Sequence, residues 1–315
     1  MLAVTSSQGS VRVDERDTPT GPGELVRVTS SSICGSDLHM VELGISGVVL
    51  GHEFGGYTAD GRLVAVRPTG QCGTCPSCRA RHSQTCAEAG RSLTGLGTDG
   101  GLAHHALVES SRLYTVPDGV DPASVCLVEP TAVCVHGVHR AAVAAGMRSL
   151  VVGAGSIGLI TGAVLRAKGV DVDIVARHRH QREAAEQLGL GVVESPVRTY
   201  DVTFDAVCTQ QSFDACVAAT SPGGRLLEFG MFWSPVRLDN NVMMKEIDIV
   251  PSIFYGHDGT QDDFQVAIDF LAATPRLPDA LITHTFALSD AVEAFAVARD
   301  KTTGAIKVRF TPDAA

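Results

Sequence analysis

No run of the 315 residues is apolar for long enough to cross a bilayer. The longest, around 157–164, is closed by Arg166 and Lys168, whereas a spanning helix needs about 20 apolar residues. Residues 1–10 carry neither a basic nor an apolar segment, so no secretory signal is expected and a cytoplasmic location is. Positive charge is short as well: 25 Lys and Arg stand against 35 Asp and Glu, a formal net charge of −10. That balance excludes the basic face with which a nucleic-acid binder tracks phosphates. No block of like charge marks a tail or a membrane-surface helix, and there is no internal repeat or low-complexity segment. A 44% hydrophobic and 19% charged composition excludes disordered and fibrous classes, and the length suits two domains.

Segments 24–31, 62–67 and 103–108 alternate apolar and polar residues between Gly, Pro and Asp turns, the pattern of short strands. Residues 131–145 are apolar at helical spacing and stop at Gly146. Strands at 149–152, 172–176, 204–208, 224–230 and 248–254 then alternate with helices at 157–167, 182–188 and 212–219. This order predicts an α/β fold with a parallel sheet wrapped by helices. Residues 281–310 return to short mixed elements and are expected to rejoin the first domain. The expected division is 1–138, 139–279 and a returning segment 280–315.

Val151-Val152-Gly153-Ala154-Gly155-Ser156-Ile157-Gly158-Leu159 is a strand running through Gly-x-Gly-x-x-Gly into a helix. The glycines allow a tight turn and close backbone approach, and the helix N-terminus offers free N–H groups to a pyrophosphate. Gly153, Gly155, Ser156, Ile157 and Gly158 are therefore expected to hold a dinucleotide; a glycine-rich turn without a ligand is the bland alternative. NAD-binding units place an acid at the end of the second strand. Here Asp171 and Asp173 come too early, and the chain leaves through Ala176-Arg177-His178-Arg179-His180. Two arginines and no carboxylate suit a ribose 2′-phosphate, with Arg177 first and Arg179 second, so NADP(H) is favoured over NAD(H). A solvated basic loop is the other reading.

Nine cysteines in a reducing compartment are poor disulfide candidates. Cys72, Cys75, Cys78 and Cys86, spaced C-x2-C-x2-C-x7-C within a lobe at about 70–90, read as one closed tetrahedral zinc site of structural type. Reduced core cysteines or an iron–sulfur cluster are the alternatives. Two further segments are rich in donors: Ile33-Cys34-Gly35-Ser36-Asp37-Leu38-His39 and Gly51-His52-Glu53-Phe54-Gly55-Gly56.

In their order along the chain these four features resemble the medium-chain dehydrogenase/reductase family, in particular its zinc-containing sorbitol, threonine and alcohol dehydrogenases. The likeness extends to Val128-Glu129-Pro130-Thr131-Ala132-Val133, Leu281-Ile282-Thr283-His284 and Ala291-Val292-Glu293-Ala294-Phe295. It implies a GroES-like β-rich catalytic domain joined to a Rossmann domain, and two zinc ions per chain. It makes Cys34 and His52 ligands of a catalytic zinc, with either Glu129 or Glu53 as the third. Ser36 and His39 would relay the substrate proton, and Thr131 would join the cofactor residues. The implied activity is hydride transfer between NADP(H) or NAD(H) and an alcohol, a polyol or the corresponding carbonyl, in a homodimer or homotetramer. The alternatives are a non-catalytic NADPH-binding protein on the same scaffold, or a zinc module for nucleic acid or protein. The chain is shortened between Cys34 and His52 and from Gly56 to Pro68, which suggests a wider cleft for a bulkier substrate. Met40, Phe54, Phe232, Trp233, Phe254 and Tyr255 are candidate wall residues.

Overall fold

The computed structural model describes residues 1–45 and 47–311. The chain forms two compact units, Met1–Glu129 with Phe264–Ala315, and Pro130–Asp263. The last four residues of the expected returning segment, 312–315, lie outside the described residues.

In the first unit, strand Glu24–Ser32 is the spine of a seven-stranded sheet. Its order is Ile282–Phe286, Lys307–Phe310, Glu24–Ser32, Glu53–Tyr57, Leu63–Val66, Leu113–Thr115, with His105–Val108 also on the spine. Val26 and Val28 point inward with Phe54, Val64 and Val66 to form one core, as period-2 alternation requires. At its far end the spine is paired on both sides: Ser32 lies opposite Glu53 on one and Arg309 on the other. The returning strand is thereby brought alongside Glu53. Gly56 has no room for a side chain, since a Cβ there would fall 2.0 Å from the Arg27 carbonyl oxygen.

The second unit carries a six-stranded, wholly parallel sheet in the order Gly191–Val193, Asp171–Val175, Arg148–Val152, Tyr200–Asp205, Thr220–Glu228, Asp248–Pro251. The longest apolar run of the sequence lies in helix Ser156–Ala167, whose residues 158–165 are all buried. That explains its continuous hydrophobicity: it is a core helix. No helix among the described residues is long and apolar enough to cross a membrane.

Several boundaries differ from expectation. The 131–145 helix is in fact Val128–Arg140; Ala142 takes a left-handed φ of 49° and ends the helical path before Gly146. The 204–208 strand is Tyr200–Asp205. It stops because Asp205 Oδ1 accepts the backbone N–H groups of Val207 and Cys208, at 2.8 and 2.9 Å, curling the chain into a turn. The units divide after Glu129 and Asp263, earlier than 138 and 279. At the second boundary Phe264 already belongs to the first unit, its ring 4.9 Å from that of Tyr114. Helices Gly35–Glu42, Asp263–Ala273 and Ala291–Arg299 were not foreseen.

Candidate active site and metal centres

The spine strand ends at Ser32, and Cys34 begins helix Gly35–Glu42 as its N-cap. Asp37, three residues into that helix, faces back: its Oδ2 accepts the Cys34 backbone N–H at 2.8 Å. Its Oδ1 lies 3.3 Å from His52 Nδ1. Residue 52 immediately precedes the strand that starts at Glu53. Cys34, His52 and Glu53 each direct one donor atom to a common point, all within 4.8 Å of one another. The His52 imidazole is pushed well above its ordinary pKa. Burial pulls the other way, but the Asp37 carboxylate and the Cys34 thiol outweigh it. An imidazole whose Nδ1–H is held by a carboxylate is oriented to offer Nε2 to a metal, and here Nε2 is 3.5 Å from Ser36 Oγ.

Glu53 is already engaged. Lys307 Nζ donates to both its oxygens at 2.8 Å, and the Ser32 hydroxyl donates to Oε2. Lys307 also reaches the Ile33 carbonyl at 3.3 Å. Glu129 is buried in the first turn of helix Val128–Arg140 and stands outside the tight donor group. Burial raises its pKa to about 7; His52 and Lys307 pull it down, while Glu53 and Asp37 push it up. His39 shares a helix with Ser36, and its Nδ1 lies 3.6 Å from Glu42 Oε2.

Cys72, Cys75, Cys78 and Cys86 converge within 4.8 Å. Sγ–Sγ separations of 3.9 Å for Cys72–Cys78 and 3.7 Å for Cys86–Cys72 match the roughly 3.8 Å edge of a tetrahedron with metal–sulfur bonds of about 2.3 Å. Backbone N–H groups of Cys75, Cys78 and Glu88 point at the sulfurs of Cys72, Cys75 and Cys86. Hydrogen bonds from Thr74 above all, and then from Cys75, lower the Cys72 thiol to about 6. The donor set fits one thiolate-bound metal.

In the second unit Gly153 takes φ 102°, and a Cβ on Gly158 would lie 1.8 Å from the Gly153 carbonyl oxygen. Gly155, the N-cap of helix Ser156–Ala167, faces open space instead. A Cβ there would meet nothing within 4 Å, so the loop is open at that point. Asp173 is held by Tyr200 Oη at 2.7 Å and by Arg198 at 3.0 Å. Beyond the strand, Arg177 Nη2 donates to Gln211 Oε1 at 3.3 Å, while Arg179 turns to Glu183 at 3.1 Å.

Other expected residues fall differently. Thr131 is wholly buried and its hydroxyl has no hydrogen-bond partner among the described residues. Phe54 and Tyr255 are fully buried, and Phe54 packs in the sheet core, so it does not serve as a wall. Phe232 and Trp233 are exposed, and Met40 and Phe254 half-buried. Asp37, Ser32 and Lys307 escaped the sequence reading. Asp37 at capping-box spacing from Cys34 could have been found; Lys307, 254 positions from Glu53, had no local signal.

Residues 21–118 match the family model of the alcohol dehydrogenase GroES-like domain, and residues 156–273 that of zinc-binding dehydrogenase. L-galactonate-5-dehydrogenase of Escherichia coli (strain K12) is 28% identical over 313 residues, 89% of this chain and 90% of that protein. L-idonate 5-dehydrogenase (NAD(P)(+)) of the same strain is 27% identical over 315 residues, 90% of each. A structure from E. coli CFT073, described as a short chain alcohol dehydrogenase complexed with cofactor NADH, superposes with a TM-score of 0.88 at 26% identity, covering 99% of both chains.

Proposed function

This chain belongs to the zinc-containing medium-chain dehydrogenase/reductase family, and from that premise we propose that it is a zinc-dependent, NADP(H)-linked dehydrogenase of secondary hydroxyls on polyols or sugar acids. At the coarser level it is an oxidoreductase acting on alcohols. The observation that carries the finer reading is the convergence of Cys34 and His52, with Asp37 fixing the imidazole.

Cys34 and His52 hold the catalytic metal in this proposal, with Glu129 as the third ligand. The charge balance supports that choice, because Glu53 is already neutralised by Lys307 whereas Glu129 is a buried acid with no ion-pair partner among the described residues. When bound, zinc supplies a Lewis acid for the substrate oxygen and the nicotinamide carries the hydride. The Ser36 hydroxyl, beside His52 Nε2, accepts the proton of the substrate hydroxyl as it gives up its own towards His39. His39 follows at i+3 on the same helix, hence on the same face, and releases the proton to solvent. The four-cysteine lobe holds a second, structural zinc. Gly155 and the N-terminus of its helix receive the pyrophosphate, and Arg177 meets the 2′-phosphate. The edge strand Asp248–Pro251, with exposed Met231, Met243 and Met244 nearby in sequence, supports a homo-oligomer paired along that edge.

The test is zinc content together with cofactor titration and turnover on a panel of polyols and sugar acids. About two zinc ions in the two sites, tighter NADPH than NADH binding, and loss of turnover in Cys34→Ala are expected. Arg177→Ala should weaken NADPH about 10-fold or more and leave NADH nearly unchanged. Tighter NADH binding by the wild type refutes the cofactor assignment. NADPH binding without turnover of any alcohol supports the non-catalytic alternative.

A further inference from the structure

The ends of two neighbouring parallel strands in the second unit bring acids face to face. Asp205 closes strand Tyr200–Asp205, Glu228 closes Thr220–Glu228, and the register pairs the two directly. Like charges so placed repel. Both are buried, 0% and 3% exposed. Cys208 joins them from the turn that Asp205 Oδ1 organises. Its backbone is left-handed at φ 58°, and its sulfur accepts the Gly230 N–H at 3.1 Å. One donor atom from each of the three residues lies within 4.8 Å of the others.

Their hydrogen bonding is incomplete. Asp205 Oδ1 is satisfied, but Asp205 Oδ2 and both oxygens of Glu228 receive no well-formed hydrogen bond, although the Cys208 thiol lies beside Glu228. No ammonium or guanidinium among the described residues forms an ion pair with either acid, in contrast to Glu53 and its lysine. A buried carboxylate must acquire a proton or a cation. Glu228 is raised to about 8, by burial first and then by Asp205, as befits a group that binds a proton when no cation is present.

We propose that Asp205, Cys208 and Glu228 form a third divalent-metal site, independent of the catalytic and four-cysteine sites. Two carboxylates and a thiolate select a borderline-soft ion such as zinc or cadmium over calcium or magnesium. Because the donors close two adjacent strands and the turn between them, the ion would tie the carboxyl ends of those strands together.

The test is cadmium substitution of the full-length protein, followed by metal counting and ¹¹³Cd NMR. Expected are about three cadmium ions per chain and three separate resonances. One of them should disappear in Cys208→Ser and in Glu228→Gln, leaving the other two in place. Asp205→Asn serves as a further variant if either of these fails to fold, as judged by circular dichroism. Two resonances in the wild type overturn the proposal and leave the pair as protonated acids. A third resonance that persists in the variants overturns it too.

Discussion

Lys307 Nζ stands 2.8 Å from each carboxylate oxygen of Glu53, with 3% and 1% of the two side chains exposed. Truncation to Lys307→Met leaves a buried carboxylate without its counter-charge. The expected cost is about 3–5 kcal/mol, read from urea unfolding at neutral pH. Adding Glu53→Leu to the same chain should recover much of it. A single-variant loss under about 1 kcal/mol would show that the pair contributes no more than a surface ion pair.

Asp37 would act on a metal held by Cys34 and His52 through the imidazole that it orients. Asp37→Asn should lower zinc affinity at the Cys34–His52 site by about 10- to 100-fold, measured by competition with a chromophoric chelator. The four-cysteine lobe should retain its metal. Equal loss from both sites would point to a general folding defect instead.

Gly155 and Gly158 of the nucleotide loop should part company on substitution. A Cβ at Gly158 meets the Gly153 carbonyl at 1.8 Å, whereas one at Gly155 meets nothing within 4 Å. Gly158→Ala is expected to lower both the melting temperature and nucleotide binding. Gly155→Ala should melt like the wild type and bind NADPH about 10-fold more weakly, because its methyl fills the space a phosphate needs. Unchanged NADPH affinity in Gly155→Ala would contradict the placement.

Asp263 is fully buried and accepts from His136 Nδ1 and His139 Nδ1 at 2.7 Å each, and from the Gly256 N–H at 2.9 Å. Burial would raise its pKa, but these hydrogen bonds prevail and hold it well below the carboxylate range. With a depressed folded pKa, its contribution is complete above the unfolded value near ~4 and is lost as pH falls towards the folded one. Asp263→Asn should therefore cost about 2–4 kcal/mol at pH 7, and the gap from wild type should narrow once the pH drops below ~4. Guanidine unfolding across that range reads both quantities; a gap that widens in acid would reverse the assignment.

What was legible in the sequence was whatever repeats at short range. The period-2 strands, the glycine loop and the cysteine spacing each announce themselves within fifteen or so residues, and the parallel sheet followed from their order. Ends were harder. Ala142 and Cys208 adopt left-handed backbone without being glycine, so no residue type warned that the helix and the strand would stop there. Hidden too was the pairing of Glu53 with Lys307, which depends on strand Lys307–Phe310 lying beside the spine in one particular register. The proposed preference for Glu129 over Glu53 as third ligand rests on that distant lysine.

Three of the thiols assigned to metal also start helices: Cys34 for Gly35–Glu42, Cys75 for Pro76–Arg79 and Cys86 for Ala87–Arg91. The latter two helices are four and five residues long, far below the length at which a helix nucleates unaided in water. Each first turn is anchored by a sulfur that accepts one of its free amides. An ion that fixes those sulfurs would fix the starting point of the helices as well. Secondary structure in the lobe would then be set by metal supply at synthesis, and a chain made in metal-starved cells would carry a loose loop there in an otherwise finished molecule.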